Sequence, residues 1–169
     1  MGCDIHPHIE YRKHDQWYHF CQPWILRNYL FFGLIAGVRV KGVQIIPTKG
    51  FPIENATFNT KHDYGIIVTE STCEWGGCTS LITAARAAEK DYPELEPGLL
   101  DHPDHHTPSW LTTSELRDVI GAYSRYPMRD SPYRAARVKV KQEIPDEIAA
   151  VYQSMKALGE SRLVFWFDN

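Results

Sequence analysis

The chain predicts an α+β fold: a single domain (1–169) on one mainly antiparallel sheet that contains both the N- and C-terminal strands and is covered by about four helices. Three observations lead there. Residues Asp4 to Glu10 alternate polar and apolar, as a half-buried strand does. Leu163 to Phe167 is apolar on both faces, as in a strand at the centre of a sheet. Between them lie segments with helical spacing and recognisable caps. At 169 residues, 43% hydrophobic and 12% aromatic, the chain holds enough apolar material for one core, and no repeat, low-complexity tract or linker divides it.

The opening strand places Asp4, His6, His8 and Glu10 at even positions with Ile5, Pro7 and Ile9 between them. Successive strand side chains point to opposite faces, so the polar four share one face. Carboxylate oxygen and imidazole nitrogen so grouped suit a metal ion or a general acid/base pair; a solvated edge strand is the plainer reading. His14-Asp15-Gln16 reads as a hairpin turn into a short aromatic strand, Trp17 to Cys21. Arg27 to Ala36 is apolar nearly all round and stops at Gly37, which predicts a buried helix with glycine at its C-terminal end. Val40 to Tyr64, punctuated by Gly42, Pro47, Gly50 and Pro52, reads as a long irregular segment.

Gly65 to Thr69 is a brief β-branched run, and Thr79 to Lys90 an alanine-rich helix that ends before Pro93. Glu94 to Pro108, rich in proline, histidine and acid, reads as a second irregular segment. Thr112-Thr113-Ser114-Glu115 is a capping box, followed by Leu116, Val119, Ile120 and Tyr123 at helical spacing. Tyr126 to Tyr133, with Pro127 and Pro132, reads as a loop. Pro145 to Leu158 opens on Pro-Asp, repeats Ile148, Val151, Tyr152 and Met155, and closes at Gly159, which predicts an amphipathic helix.

A net charge of -3 argues against a general grip on duplex nucleic acid, which needs many Lys and Arg contacts to phosphate. No apolar run reaches the ~18 residues of a membrane span and no signal peptide is evident, so no membrane partner and a cytoplasmic setting are expected. Cys3, Cys21, Cys73 and Cys78 lack paired C-x-x-C spacing and read as reduced, mostly buried thiols. The P-loop, G-x-G-x-x-G, G-x-S-x-G and H-E-x-x-H motifs are absent.

Two further clusters carry ionisable groups. Asp101-His102-Pro103-Asp104-His105-His106 precedes a capped helix, a setting that suits an anion or phosphate if it is more than a solvated turn. Asp168 and Asn169 end the central strand, where polar groups commonly line a crevice. Arg27 and Arg39 flank the apolar helix as potential forks for carboxylate or phosphate, and Trp110, Tyr29 and Trp24 are rings that either stack on a base or belong to the core.

Five ordered blocks then carry a resemblance: Met1-Gly2-Cys3-Asp4-Ile5-His6; Arg27-Asn28-Tyr29 with Phe32 and Ala36-Gly37-Val38-Arg39; Gly50-Phe51-Pro52; Asp104-x-His106-x-x-Ser109-Trp110-Leu111-Thr112; and Phe165-Trp166-Phe167-Asp168-Asn169. Together they resemble a family of small, largely uncharacterised proteins of bacteriophages and bacteria, over the whole chain. The resemblance supplies no established activity. It implies a shared polar pattern of Asp4, His6, Glu10, Arg27, Tyr29, Arg39, Asp104, His106, Ser109, Trp110, Asp168 and Asn169, with His8, His102 and His105 outside it. The chain departs from the pattern at Leu30 and at Glu54-Asn55, where the family tends to carry acid and Asp respectively.

The leading expectation is a small metal-dependent hydrolase, a phosphoesterase acting on a nucleotide or related phosphorylated molecule. Asp4, His6, His106 and Asp104 would be catalytic. Asp4, His6, His106 and Asp168 would hold a divalent Zn, Mn or Mg ion, and Arg27, Tyr29, Arg39, Ser109, Trp110 and Asn169 would bind the ligand. A second expectation, suggested by the phage association, is a protein of the host cytoplasm that sequesters a nucleotide second messenger of host defence without turnover. A third is a buried polar network that fixes the terminal strands of a protein acting on a host protein partner.

Overall fold

The computed structural model describes residues 2–69, 81–83, 98–102, 104–126 and 143–168. They form β1 (Asp4–Lys13), β2 (Gln16–Cys21), α1 (Tyr29–Ala36), α2 (Phe58–Tyr64), β3 (Gly65–Thr69), β4 (Leu81–Thr83), β5 (Gly98–Asp101), β6 (His106–Thr112), α3 (Thr113–Arg125), α4 (Asp146–Leu158) and β7 (Ser161–Asp168). The main sheet is antiparallel throughout, in the order β2-β1-β7-β6. Both terminal strands lie in it, and the fold is α+β as expected. A second, three-stranded sheet has the order β4-β3-β5, with β3 parallel to β4 and antiparallel to β5.

Strand β7 is central, and every residue from Ser161 to Phe167 is buried. Its alternation with β1 divides the sheet into two chemically different faces. Ile5, Ile9, Leu163, Phe165 and Phe167 join Phe31, Phe32 and Ile35 of α1, Leu116 and Val119 of α3, and Ile148 and Met155 of α4 in one core cluster. The opposite face carries His6, His8 and Glu10, whose direct partners on β7 are Trp166, Val164 and Arg162.

Helix α1 has no polar face because it is buried from Phe31 to Ala36. Asn28 caps it, accepting the Phe31 N–H at 3.0 Å while donating to the Tyr123 hydroxyl at 2.8 Å, so one side chain starts α1 and ties it to α3. Gly37 ends it at φ +69°, the left-handed conformation glycine adopts without penalty. The capping box of α3 is formed: Thr112 Oγ1 accepts the Glu115 N–H, and Glu115 Oε2 accepts the Thr112 N–H at 2.8 Å.

Three expectations need correction. The segment 40–64 is not irregular throughout, because Phe58–Tyr64 is α2. Its sequence FNTKHDY has no apolar period; what holds it is tertiary, the burial of Thr60 and Tyr64 and the hydrogen bonds of Thr57 and Thr60 to Glu10. The segment 94–108 likewise contains β5 and the start of β6, whose ladders form despite proline and histidine. Within the helix expected over Thr79 to Lys90, Leu81–Thr83 form β4 instead, pairing in parallel with β3. The remainder of that helix lies outside the described residues, as do Cys73, Cys78, Asn169 and most of the loop expected from Tyr126 to Tyr133. No described helix is long and apolar enough to cross a membrane.

Candidate functional site

Where β1 begins and β7 ends, the register sets Asp4 opposite Asp168 and His6 opposite Trp166. Asp168 Oδ1 accepts the Asp4 N–H at 3.1 Å, and its Oδ2 lies 3.1 Å from His6 Nε2. Asp4 in turn is held by a two-pronged Arg27, Nη2 to Oδ2 at 2.6 Å and Nε to Oδ1. Arg27 lies so close to Gly2 that a β-carbon there would come 2.2 Å from Nη1, so glycine at that position makes room for the guanidinium. The chain leaving β2 runs beside this cluster, and together they border an open cavity of about 770 Å³, lined by Asp4, His6, Asp168, Arg27, Trp24 and Ile25 among others. Trp24 is 80% exposed, so an indole lines the cavity with its surface uncovered.

The charges here are arranged in pairs. The Arg27 hydrogen bond holds the Asp4 carboxyl below the usual carboxylate range, and Asp4 raises Arg27 in return. Partial burial pushes Asp168 up, but the hydrogen bonds from His6 and from the Asp4 N–H outweigh it and leave this carboxyl lowered. With Asp168 ionised, His6 donates from Nε2, the tautomer in which Nδ1 of a neutral ring is the accepting nitrogen. A carboxylate that fixes the tautomer of an imidazole in a cavity is the arrangement general acid/base catalysis uses.

Trp166 underlies the site. His6 and His8 both stack on it, at 5.8 and 5.1 Å between centroids, and His105 tilts against it at 5.6 Å. Its indole is fully buried and its Nε1–H has no hydrogen-bond acceptor among the described residues. His105 is the imidazole the fold brings to His6, at 5.4 Å. It donates from Nδ1 to the Tyr64 carbonyl at 2.7 Å. Burial and the neighbouring His102 and His6 push its pKa down.

The other expected site residues are dispersed. His106 is on the helix-covered face: it stacks on Phe167 at 5.9 Å, and its Nε2 lies 4.0 Å from the Cys3 thiol. A bulge places it there. His106 pairs with Phe167 and Ser109 with Phe165, so two intervening residues stand against one, with Thr107 at φ +51° as the extra residue. Asp104 is exposed; its N–H donates to His102 Nδ1 at 3.3 Å, and its carboxylate lies 3.9 Å from the same nitrogen. Arg39 donates to the Gly2 carbonyl at 3.0 Å, and Tyr29, 44% exposed, packs edge-on to Phe32. Ser109 is buried and accepts the Lys49 N–H at 3.0 Å, while Trp110 lies under Lys49 Nζ at 3.8 Å. Among the described residues no group of three or more His, Cys, Asp and Glu is arranged to hold a metal ion.

Glu10 belongs to a separate buried ion pair. Its Oε2 takes Arg162 Nη2 at 2.6 Å, and its Oε1 takes the Thr60 hydroxyl and both the N–H and hydroxyl of Thr57. Arg162 is stacked on Trp17 at 3.9 Å and donates to Asn55 Oδ1. Sequence and structure comparisons with family models, curated proteins and solved structures find no match for this chain.

Proposed function

We propose that the cavity at the start of β1 is the active site of a small hydrolase that cleaves a phosphoester of a nucleotide or related phosphorylated molecule. The observation that carries this reading is His6, held by Asp168 from behind and lining an open cavity beside the Arg27 guanidinium. In this reading His6 Nδ1 takes the proton of the attacking water, and Asp168 stabilises the imidazolium that forms. Arg27 spends Nε and Nη2 on Asp4, which leaves Nη1 for a phosphoryl oxygen. Trp24 offers its uncovered face to a base.

His6→Ala is expected to lower turnover of a nucleotide substrate by about 10²- to 10⁴-fold while leaving the fold intact. Full activity in this variant would refute the reading. The assay is run with a chelator and with Mn²⁺ or Zn²⁺, because Asp4, Asp168 and His6 are ligand types such ions take. Turnover without the ion assigns water activation to His6; turnover only with it assigns that step to a bound ion.

A second reading is favoured by a specific observation: both oxygens of Asp4 and both of Asp168 are already engaged by protein donors. A cavity with its charges paired in advance suits retention of a ligand without chemistry. Recovery of an unchanged nucleotide from the denatured protein distinguishes this reading from the enzyme.

A further inference from the structure

On the same face of β1, two residues along, His8, which stacks on the same Trp166 ring as His6, takes part in a second arrangement. It is 2% exposed. Its Nε2 lies 2.9 Å from Asp63 Oδ2, which also accepts Gln22 Nε2 at 3.0 Å, and its Nδ1 lies 3.1 Å from His19 Nε2. Asp63, being ionised, accepts from His8 Nε2, so with neutral rings His8 Nδ1 accepts from His19 Nε2. The remaining nitrogen of His19, Nδ1, is then a bare acceptor. Burial pushes the His19 pKa down, in the direction of the neutral ring.

Gln22, His19 and Asp63 line a pocket of about 390 Å³ with Asn59, His62 and Phe58, within the range of small-molecule sites. Helix α2 spaces its contribution by four residues: Phe58 and His62 form a ring pair at 5.7 Å, and Asn59 and Asp63 stand beside them as an amide and a carboxylate. Oδ1 of Asp63 and the Asn59 amide make no hydrogen bond among the described residues.

We propose that this pocket between β2 and α2 is a second ligand site, which takes the vicinal diol of a sugar or nucleoside. Among the described residues no Lys or Arg lines it, so they offer an anionic phosphate no such counter-charge there. The wall offers fixed acceptors, His19 Nδ1 and Asp63 Oδ1, next to an amide that both donates and accepts. A hydroxyl likewise both donates and accepts, whereas an ammonium only donates. The Phe58 and His62 rings supply an apolar surface for the carbon face of the sugar. The inference stands apart from the phosphoester reading, since neither His6 nor Arg27 enters it.

The test is to titrate the full chain with methyl ribofuranoside, which carries the diol without base or phosphate, and to follow the imidazole nitrogens and side-chain amides by NMR. The expected result is a shift of His19 Nδ1 and of the Asn59 amide. Binding should weaken about tenfold or more for the dideoxy counterpart and in Asn59→Ala, an exposed and unbonded position, and stay unchanged in Arg27→Ala. Absence of these shifts, equal shifts from the dideoxy compound, or displacement of the diol by methylammonium would each overturn the proposal.

Discussion

At the scale of single residues, what decides chemistry here is which partner each ionisable group already has. Asp4 and His6 stand out in the sequence because strand alternation puts them on one face, and Asp168 because it ends a strand apolar on both sides. Those three do meet. His106 was equally visible, but one extra residue at Thr107 inverts its face and delivers His105 to the site in its place. Strand periodicity carries no warning of a bulge. Nor does it reveal that Glu10, read as part of the same polar row, is sealed in an ion pair with Arg162, the two side chains being 0% and 3% exposed. Truncating one partner leaves the other charge buried and unpaired. Arg162→Met is therefore expected to lose about 3–5 kcal/mol in urea unfolding, and a loss under 1 kcal/mol, roughly the value of a surface pair, would contradict the burial described.

At the scale of elements, helices with their own caps or apolar period were legible: α3 from its capping box, α4 from Pro145 to Gly159, and α1 from an unbroken apolar run. Helix α2 was not, since seven mostly polar residues become helical only when Glu10 and Trp166 are there to receive Thr57, Thr60 and Tyr64. Helix α1 offers a prediction against propensity. Alanine outranks glycine inside a helix by about 1 kcal/mol. A β-carbon on Gly33, however, would come 2.8 Å from Val40 Cβ and 2.9 Å from the Val40 carbonyl oxygen. Backbone cannot yield as a flexible side chain does, and overpacking costs about 1–3 kcal/mol. Gly33→Ala is expected to lower the thermal midpoint; a rise would show that the Val40 segment moves freely.

For the whole molecule, the polar face of the sheet makes stability depend on pH in two stages. His19 and His105 have lowered pKa values, so the unfolded chain binds protons that the native one does not, and stability falls as pH drops below about 6.5. Glu10, Asp63 and Asp168 are also lowered. For Glu10, burial acts upward but is outweighed by hydrogen bonds from Thr60 and Thr57 and by Arg162; for Asp63 the His8 hydrogen bond leads. Their contribution is intact above about pH 4 and is lost as pH falls through their folded values. Thermal unfolding across pH should show both stages, and His19→Gln with His105→Gln should flatten the first; an unchanged first stage in that double variant would contradict the assignment.

The role proposed for the cavity of His6, Asp168 and Arg27 is to process a phosphorylated small molecule. The most direct measurement is to incubate the pure protein with a mixed panel of linear and cyclic nucleotides, with and without Mn²⁺ or Zn²⁺. Mass spectrometry then follows both the filtrate and whatever heat denaturation releases. One nucleotide is expected to be converted to a dephosphorylated or ring-opened product by the wild type and not by His6→Ala. A panel unchanged in both fractions, or equal conversion by the two proteins, would contradict it.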